Sequence, residues 1–274
     1  MIGERLAAYR DAQKAPAGLG SLTTAEARAW VVALQRSGLA PVSVAGFVRG
    51  LKAISAWWAA EGYVPEDPLR RLVRPRAPQR LIQTLTPAEL ERLLAVARSR
   101  ERLLIGILLD TGLRLGQVAD LRVDDVLVDG YLRVRGKGDK ERLVPLGSVS
   151  QARLAGYLRR GRPRPVGAWV DHVFLARDGR PLTPAAIQHV LRRLGPRAGL
   201  DGVRTNPHTF RHTFAKLYLL NGGDLFSLQR ILGLATLEMV RRYVNLDADD
   251  VKRQHALASP LDRLAAASSV FVRG

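Results

Sequence analysis

The stretch from Leu69 to Arg80 limits the possible folds of this chain more than any other. It carries Arg70, Arg71, Arg74, Arg76 and Arg80, with Pro75 and Pro78 and no acidic residue. Proline removes a backbone donor and disrupts a helix, and arginines without acidic partners are not buried in a core. The stretch therefore divides the chain. It predicts one domain over residues 1–78, with the basic linker at its end, and a second over residues 84–274. Of the 274 residues, 47% are hydrophobic, which is enough apolar surface to give real cores.

The two sides differ in pattern. Residues 1 to about 66 read as a small helical bundle. Thr23 and Thr24 offer an N-cap, Ala27, Trp30, Val31 and Leu34 follow at helical spacing, and Gly38 ends that segment. A second helix is expected after Pro41 and Ser43, with Val44, Phe47, Val48, Leu51, Ile54 and Trp58 on its apolar side. Beyond the linker, Thr86-Pro87-Ala88-Glu89 starts a helix whose spacing continues to Leu109. Another helix is expected from Leu115 to Leu121. Tyr131 to Arg135 and Arg142 to Leu146 alternate as strands, joined by Gly136-Lys137-Gly138-Asp139 as a hairpin turn. Arg159 to Gly167 is expected as an exposed loop, and helices resume from Thr183-Pro184 to about Leu264. The fold class is mainly α with a small β-sheet.

Charge narrows the partner. Lys and Arg number 43 against 25 Asp and Glu, a net charge of +18. A polyanion that releases counterions when Lys and Arg neutralise it is the fitting partner, and nucleic acid is such a polyanion. An anionic membrane fits less well, because the charge is spread along the chain rather than grouped beside one amphipathic anchor. There is no cysteine, so disulfides and thiolate metal sites are excluded. Met1 to Arg10 has no apolar run of the signal-peptide kind, and the longest apolar stretch, Leu103 to Leu109, is far too short to span a bilayer. These features predict a soluble, cytoplasmic protein with no membrane partner.

Four short motifs stand in order along the second domain. Thr111-Gly112-Leu113-Arg114 puts Arg114 at a helix start, where its guanidinium has the bidentate geometry suited to phosphate. Arg135-Gly136-Lys137-Gly138 puts Lys137 on the hairpin tip; it lacks the spacing of a nucleotide-binding loop. Pro207-His208-Thr209-Phe210-Arg211-His212 puts His208 and Arg211 on one helix face. His208 and His212 could share a zinc ion by spacing, but the intervening Glu and a third ligand are missing, so no metal is expected. The last motif is Ile231-Leu232-Gly233-Leu234, followed by Arg241-Arg242-Tyr243. Each alone has a bland reading: a surface arginine, a charged turn, a capping histidine, a packed tyrosine.

Taken together they resemble the tyrosine recombinase, or phage integrase, family, and the resemblance covers nearly the whole chain. The order is Arg, Lys on a hairpin, His-x-x-Arg, Leu-Gly-x, then Tyr nine residues after x. The resemblance implies a helical N-terminal core-binding domain and a mixed α/β catalytic domain of the DNA breaking-rejoining type, clamping double-stranded DNA. It implies that Arg114 and Arg211 grip the scissile phosphate, His208 bonds the same phosphate and takes the tyrosine proton, Lys137 protonates the leaving 5′ oxygen, and Tyr243 is the nucleophile. Neither metal, ATP nor any other cofactor is implied. A homotetramer on two DNA sites is, with the tail from Val251 either docking on a neighbouring protomer or packing on its own domain. The arginines from Arg70 to Arg80 then read as a linker lying along phosphates.

Two positions depart from the family pattern. An acidic residue usually stands three after the first Arg, and here it is Gln117. The position after Leu232-Gly233 is usually His or Trp, a phosphate donor, and here it is Leu234. They support an alternative, a DNA-binding accessory or regulatory relative with impaired cleavage, against which the retained Arg114, Lys137, His208, Arg211 and Tyr243 speak. A type IB topoisomerase shares the chemistry, but the linker and short length favour a recombinase, whether integrase, dimer resolver or transposon recombinase. The charge excess makes a direct prediction. Binding to duplex DNA weakens steeply with salt, each neutralised phosphate contributing about −0.9 to the slope of log affinity against log salt. Titrations at several salt concentrations read it, and a slope near zero contradicts a duplex-embracing chain.

Overall fold

The computed structural model describes residues 2–16, 18, 21–76, 83–136, 138, 140–200, 202–241 and 248–267. The chain divides into two compact units, Met1–Arg80 and Leu81–Gly274.

The first unit packs three helices, α1 (Ile2–Ala12), α2 (Thr24–Arg36) and α3 (Pro41–Ala60). The Thr23 hydroxyl accepts the Glu26 N–H at 3.1 Å and so satisfies a donor that the first turn of α2 leaves unpaired. α3 starts at Pro41 itself, with proline at its first position, rather than after Ser43. Trp30, Val31, Leu34, Val44, Val48 and Leu51 form the core between α2 and α3. The expected linker is corrected at its beginning, because Leu69 and Leu72 are buried in this same core. Lys52 Nζ donates to the Leu72 carbonyl at 2.7 Å, and the Asp67 carboxylate accepts the Leu69 N–H at 2.9 Å as well as the Ser55 hydroxyl. Leucines three apart turn inward while Arg70, Arg71, Arg74 and Arg76 stay exposed. Arg80 lies outside the described residues.

The second unit is built on α5. The single helix expected up to Leu109 is two: α4 (Pro87–Val96) and α5 (Ser99–Thr111). The chain is extended at Ala97 and Arg98, and the Glu101 carboxylate accepts the Arg98 N–H at 2.8 Å, capping a fresh helix start. Leu103, Leu104, Ile105, Ile107 and Leu108 are all buried, as a helix apolar on every side must be. Around it stand α6 (Leu115–Ala119), a hairpin of β1 (Tyr131–Arg135) and β2 (Glu141–Pro145), and α7 (Ser148–Gly156). β2 begins one residue earlier than expected; the antiparallel register pairs Tyr131 with Pro145 and Val134 with Arg142. α7 widens into a π-helical turn over Tyr157–Gly161, so Arg159 and Arg160 are helical rather than loop. The remaining helices are α8 (Pro184–Arg197), α9 (Pro207–Leu220), α10 (Leu225–Leu232), α11 (Leu237–Arg241), α12 (Ala248–Ala258) and α13 (Pro260–Ala267).

Gly112 closes α5 with a left-handed φ of 59°, and a Cβ on it would collide with the Phe214 ring and the Leu232 side chain. Both backbone and packing therefore require glycine there. Gly112→Ala is expected to lower unfolding free energy by about 2–4 kcal/mol, combining left-handed strain with overpacking. Urea denaturation measures it, and a loss below about 1 kcal/mol would mean the neighbours yield easily.

Candidate active site

The candidate site gathers on the ends of helices. Arg114 caps α6 from the outside, and its backbone N–H donates to Gln117 Oε1 at 3.1 Å. Asn206 caps α9: its Oδ1 accepts the N–H of His208 at 2.9 Å and of Thr209 at 3.1 Å. That cap fixes the first turn, so that His208 is exposed while Arg211, one turn on, is only 2% exposed. Arg211 Nη1 donates to the Gly112 carbonyl and Nη2 to the Leu232 carbonyl at 2.9 Å. Both carbonyls lie where helices end, at α5 and α10, and the negative end of each macrodipole offsets the cost of burying the cation.

Arg114, His208 and Arg211 line one small cavity of roughly 100 Å³, together with Leu113, Leu115, Pro207 and Gln188. The residues come from α6, α8 and α9 and the turns before them. A wider cavity of about 690 Å³ is lined in part by Gln188, Arg192, Arg204, Asn206 and His208. Lys137 and Tyr243 lie outside the described residues. β1 and β2 flank the first, and α11 ends two residues before the second.

Gln117 is a structural link. Its Oε1 also accepts from Arg142 Nη2 at 3.2 Å, and its Nε2 donates to the Arg135 carbonyl at 2.9 Å, tying α6 to the hairpin. Leu234 is buried within the apolar core of the second unit. Gln188 and Arg142 are the residues that motif reading missed. Gln188 carries no signal in the sequence. Arg142 carries one: counted in steps of two along β2 it shares the face of Val144, the inward face.

The family model for the phage integrases matches residues 83–250. The tyrosine recombinase XerC of Xanthomonas campestris pv. campestris (strain B100) is 32% identical over 248 residues, which is 88% of this chain and 76% of that protein. The tyrosine recombinase XerD of Listeria monocytogenes serovar 1/2a is 31% identical over 247 residues, 87% of this chain and 83% of that protein. Among solved structures, the XerH site-specific recombinase bound to a palindromic difH substrate superposes with a TM-score of 0.75 at 24% identity, covering 96% of this chain and 78% of that one. The chain belongs to the phage integrase family.

His212 sits on the turn after Arg211 and is partly buried. Burial pushes its pKa down to about 4, helped by the neighbouring His208 and Arg211. Among the described residues no group of three or more His, Asp or Glu side chains could hold a metal ion. With its pKa lowered to about 4, His212 is neutral at pH 7 in the folded chain, and below about pH 6.5 the unfolded chain binds the extra proton. The stability this contributes is present above pH 6.5 and is lost as the pH falls toward 4. Unfolding at pH 7, 6 and 5 should show the parent losing stability more steeply than His212→Gln; parallel curves would assign the acid sensitivity to other groups.

Proposed function

We propose that this chain is a site-specific DNA recombinase that cuts and rejoins duplex DNA through a 3′-phosphotyrosyl intermediate. The observation that carries the reading is the meeting of Arg114, His208 and Arg211 at one cavity, with Arg211 fixed in place by two helix ends. Family membership and the tyrosine recombinases among its relatives support it.

In this reading a scissile phosphate sits against Arg114 and Arg211, whose charge is preorganised for the pentavalent transition state. The Tyr243 oxygen attacks phosphorus as His208 takes the phenolic proton. The bond from phosphorus to the 5′ oxygen breaks, Lys137 protonates that oxygen, and a 5′ hydroxyl departs. The phosphotyrosine link keeps the energy of the broken bond, so a 5′ hydroxyl from a partner strand reverses the step with neither metal nor ATP. The helical unit serves as the second half of a clamp on the duplex. Exposed Arg70, Arg71, Arg74 and Arg76 follow its phosphates.

Oligomerisation belongs to the same reading. Val251, Leu257, Leu261 and Leu264 on α12 and α13 are exposed apolar side chains, suited to docking on a neighbouring protomer in a tetramer on two sites. Among the described residues no helix is long and apolar enough to cross a membrane; the reading places the enzyme with DNA in the cytoplasm.

A nicked suicide substrate tests the chemistry, because loss of the short strand traps the covalent adduct. The parent should give a protein–DNA band on a denaturing gel. Tyr243→Phe should bind the same duplex and give none, since the ring remains while the nucleophilic oxygen is gone. A shifted band with the Phe variant would assign the nucleophile to another residue.

A further inference from the structure

Arg142 stands on β2 opposite Val134, at a register where Leu132, Val134 and Val144 are buried. An arginine on an inward face must find acceptors there. Its Nε donates to the Ile231 carbonyl at 3.0 Å and its Nη2 to Gln117 Oε1 at 3.2 Å. The same Gln117 oxygen accepts the Arg114 N–H, and the next carbonyl along, that of Leu232, accepts from Arg211. The guanidinium lies against Gly233, where a Cβ would come within 2.9 Å of Arg142 Cζ. Arg142 therefore shares Gln117 Oε1 with the Arg114 backbone, holds the carbonyl next to the one that Arg211 holds, and touches the residue just before Leu234.

The acceptors of Arg142 are a backbone carbonyl and a side-chain amide, both neutral. They hold the group in place without cancelling its charge. Burial and the charges of Arg211 and Arg114 lower its pKa to about 10, so it stays a cation at pH 7 in a strongly positive field. A carboxylate at position 117 would pair with it; the amide of Gln117 gives the same geometry and leaves the charge for an incoming anion.

We propose that Arg142 is a third cation of the phosphate site, neutralising the scissile phosphate from the place where the family pattern has a His or Trp donor and this chain has Leu234. The inference rests on the recombinase reading above, and it joins the two departures, Gln117 and Leu234, into one arrangement. Leu234 packs in the core, Gly233 leaves room beside it, and Arg142 occupies that room from the hairpin side.

The test compares single-turnover cleavage of two nicked suicide duplexes. One has an ordinary phosphodiester at the cut site, and the other a methylphosphonate, in which a methyl group replaces a non-bridging oxygen and removes the negative charge. Rates are taken relative to the parent on the same substrate, beside thermal unfolding. Arg142→Gln should cleave the phosphodiester roughly 100-fold more slowly, the lower end of the range for loss of one transition-state donor. It should come within about threefold of the parent on the methylphosphonate, where there is less charge to neutralise. Equal losses on both substrates would show that Arg142 only supports the structure and would overturn the inference. Should Arg142→Gln fail to fold, Arg142→Lys decides: cleavage within about tenfold of the parent supports a charge role, and a larger loss overturns it. If the parent gives no adduct that depends on Tyr243, the recombinase reading itself falls, and this inference with it.

Discussion

The second unit depends on one buried cation. Arg211, 2% exposed, would be costly in a core without full hydrogen bonding. It is bonded to the carbonyls of Gly112 and Leu232, so α5, α9 and α10 converge on a single guanidinium. Two glycines make that possible. Gly112 and Gly233 both have left-handed φ, 59° and 62°, and each ends its helix so that the chain turns sharply away. Arg114 follows two residues after the first turn, and Leu234 one residue after the second. Removing the glycine conformation at either turn would therefore move a neighbouring part of the site along with the helix end.

Like charges dominate what surrounds that anchor. The Arg142 guanidinium shares Gln117 Oε1 with the Arg114 backbone N–H, bonds the carbonyl next to the one that Arg211 holds, and feels the positive charge of both arginines. Neutral oxygens can hold cations close together without discharging them. In the proposed reaction, a phosphodiester entering such a field would be neutralised by groups already in position, which costs no reorganisation at the moment of reaction. Structural carboxylates in place of these acceptors would pair with the arginines and weaken the positive field.

Much of this was legible in the sequence. Thr23, Thr86 and Thr183 stand at the expected helix starts because such starts need acceptors for their unpaired N–H groups, and each caps a helix. Gly136 to Lys140 between alternating runs marks the hairpin. The order of Arg114, His208 and Arg211 marks the cavity that they line. What escaped depends on tertiary context. The break at Ala97 carries neither proline nor glycine, so no helix-breaking residue marks it in the sequence. Leu69 and Leu72 read as part of a basic linker until three-dimensional packing turns them inward. Leu234 looked like a defect because a motif records residue types, not that a core side chain fills the space. Arg142 lay hidden in a run of charges, Lys140-Glu141-Arg142, where only the strand register separates it from its solvated neighbours.

The segment that leads into the second unit is fastened at a telling point. The Leu85 N–H donates to Thr213 Oγ1 at 2.8 Å, and that hydroxyl donates in turn to the Thr209 carbonyl at 2.8 Å. Thr213 lies on the same helix as Arg211, two residues on. The bonds are buried, where water does not compete for them. The chain at Leu85 is therefore fastened to the middle of α9 rather than to the surface. The hydroxyl of Thr213 thereby serves as a rivet, fixing the start of the second unit to the helix that carries the anchoring arginine.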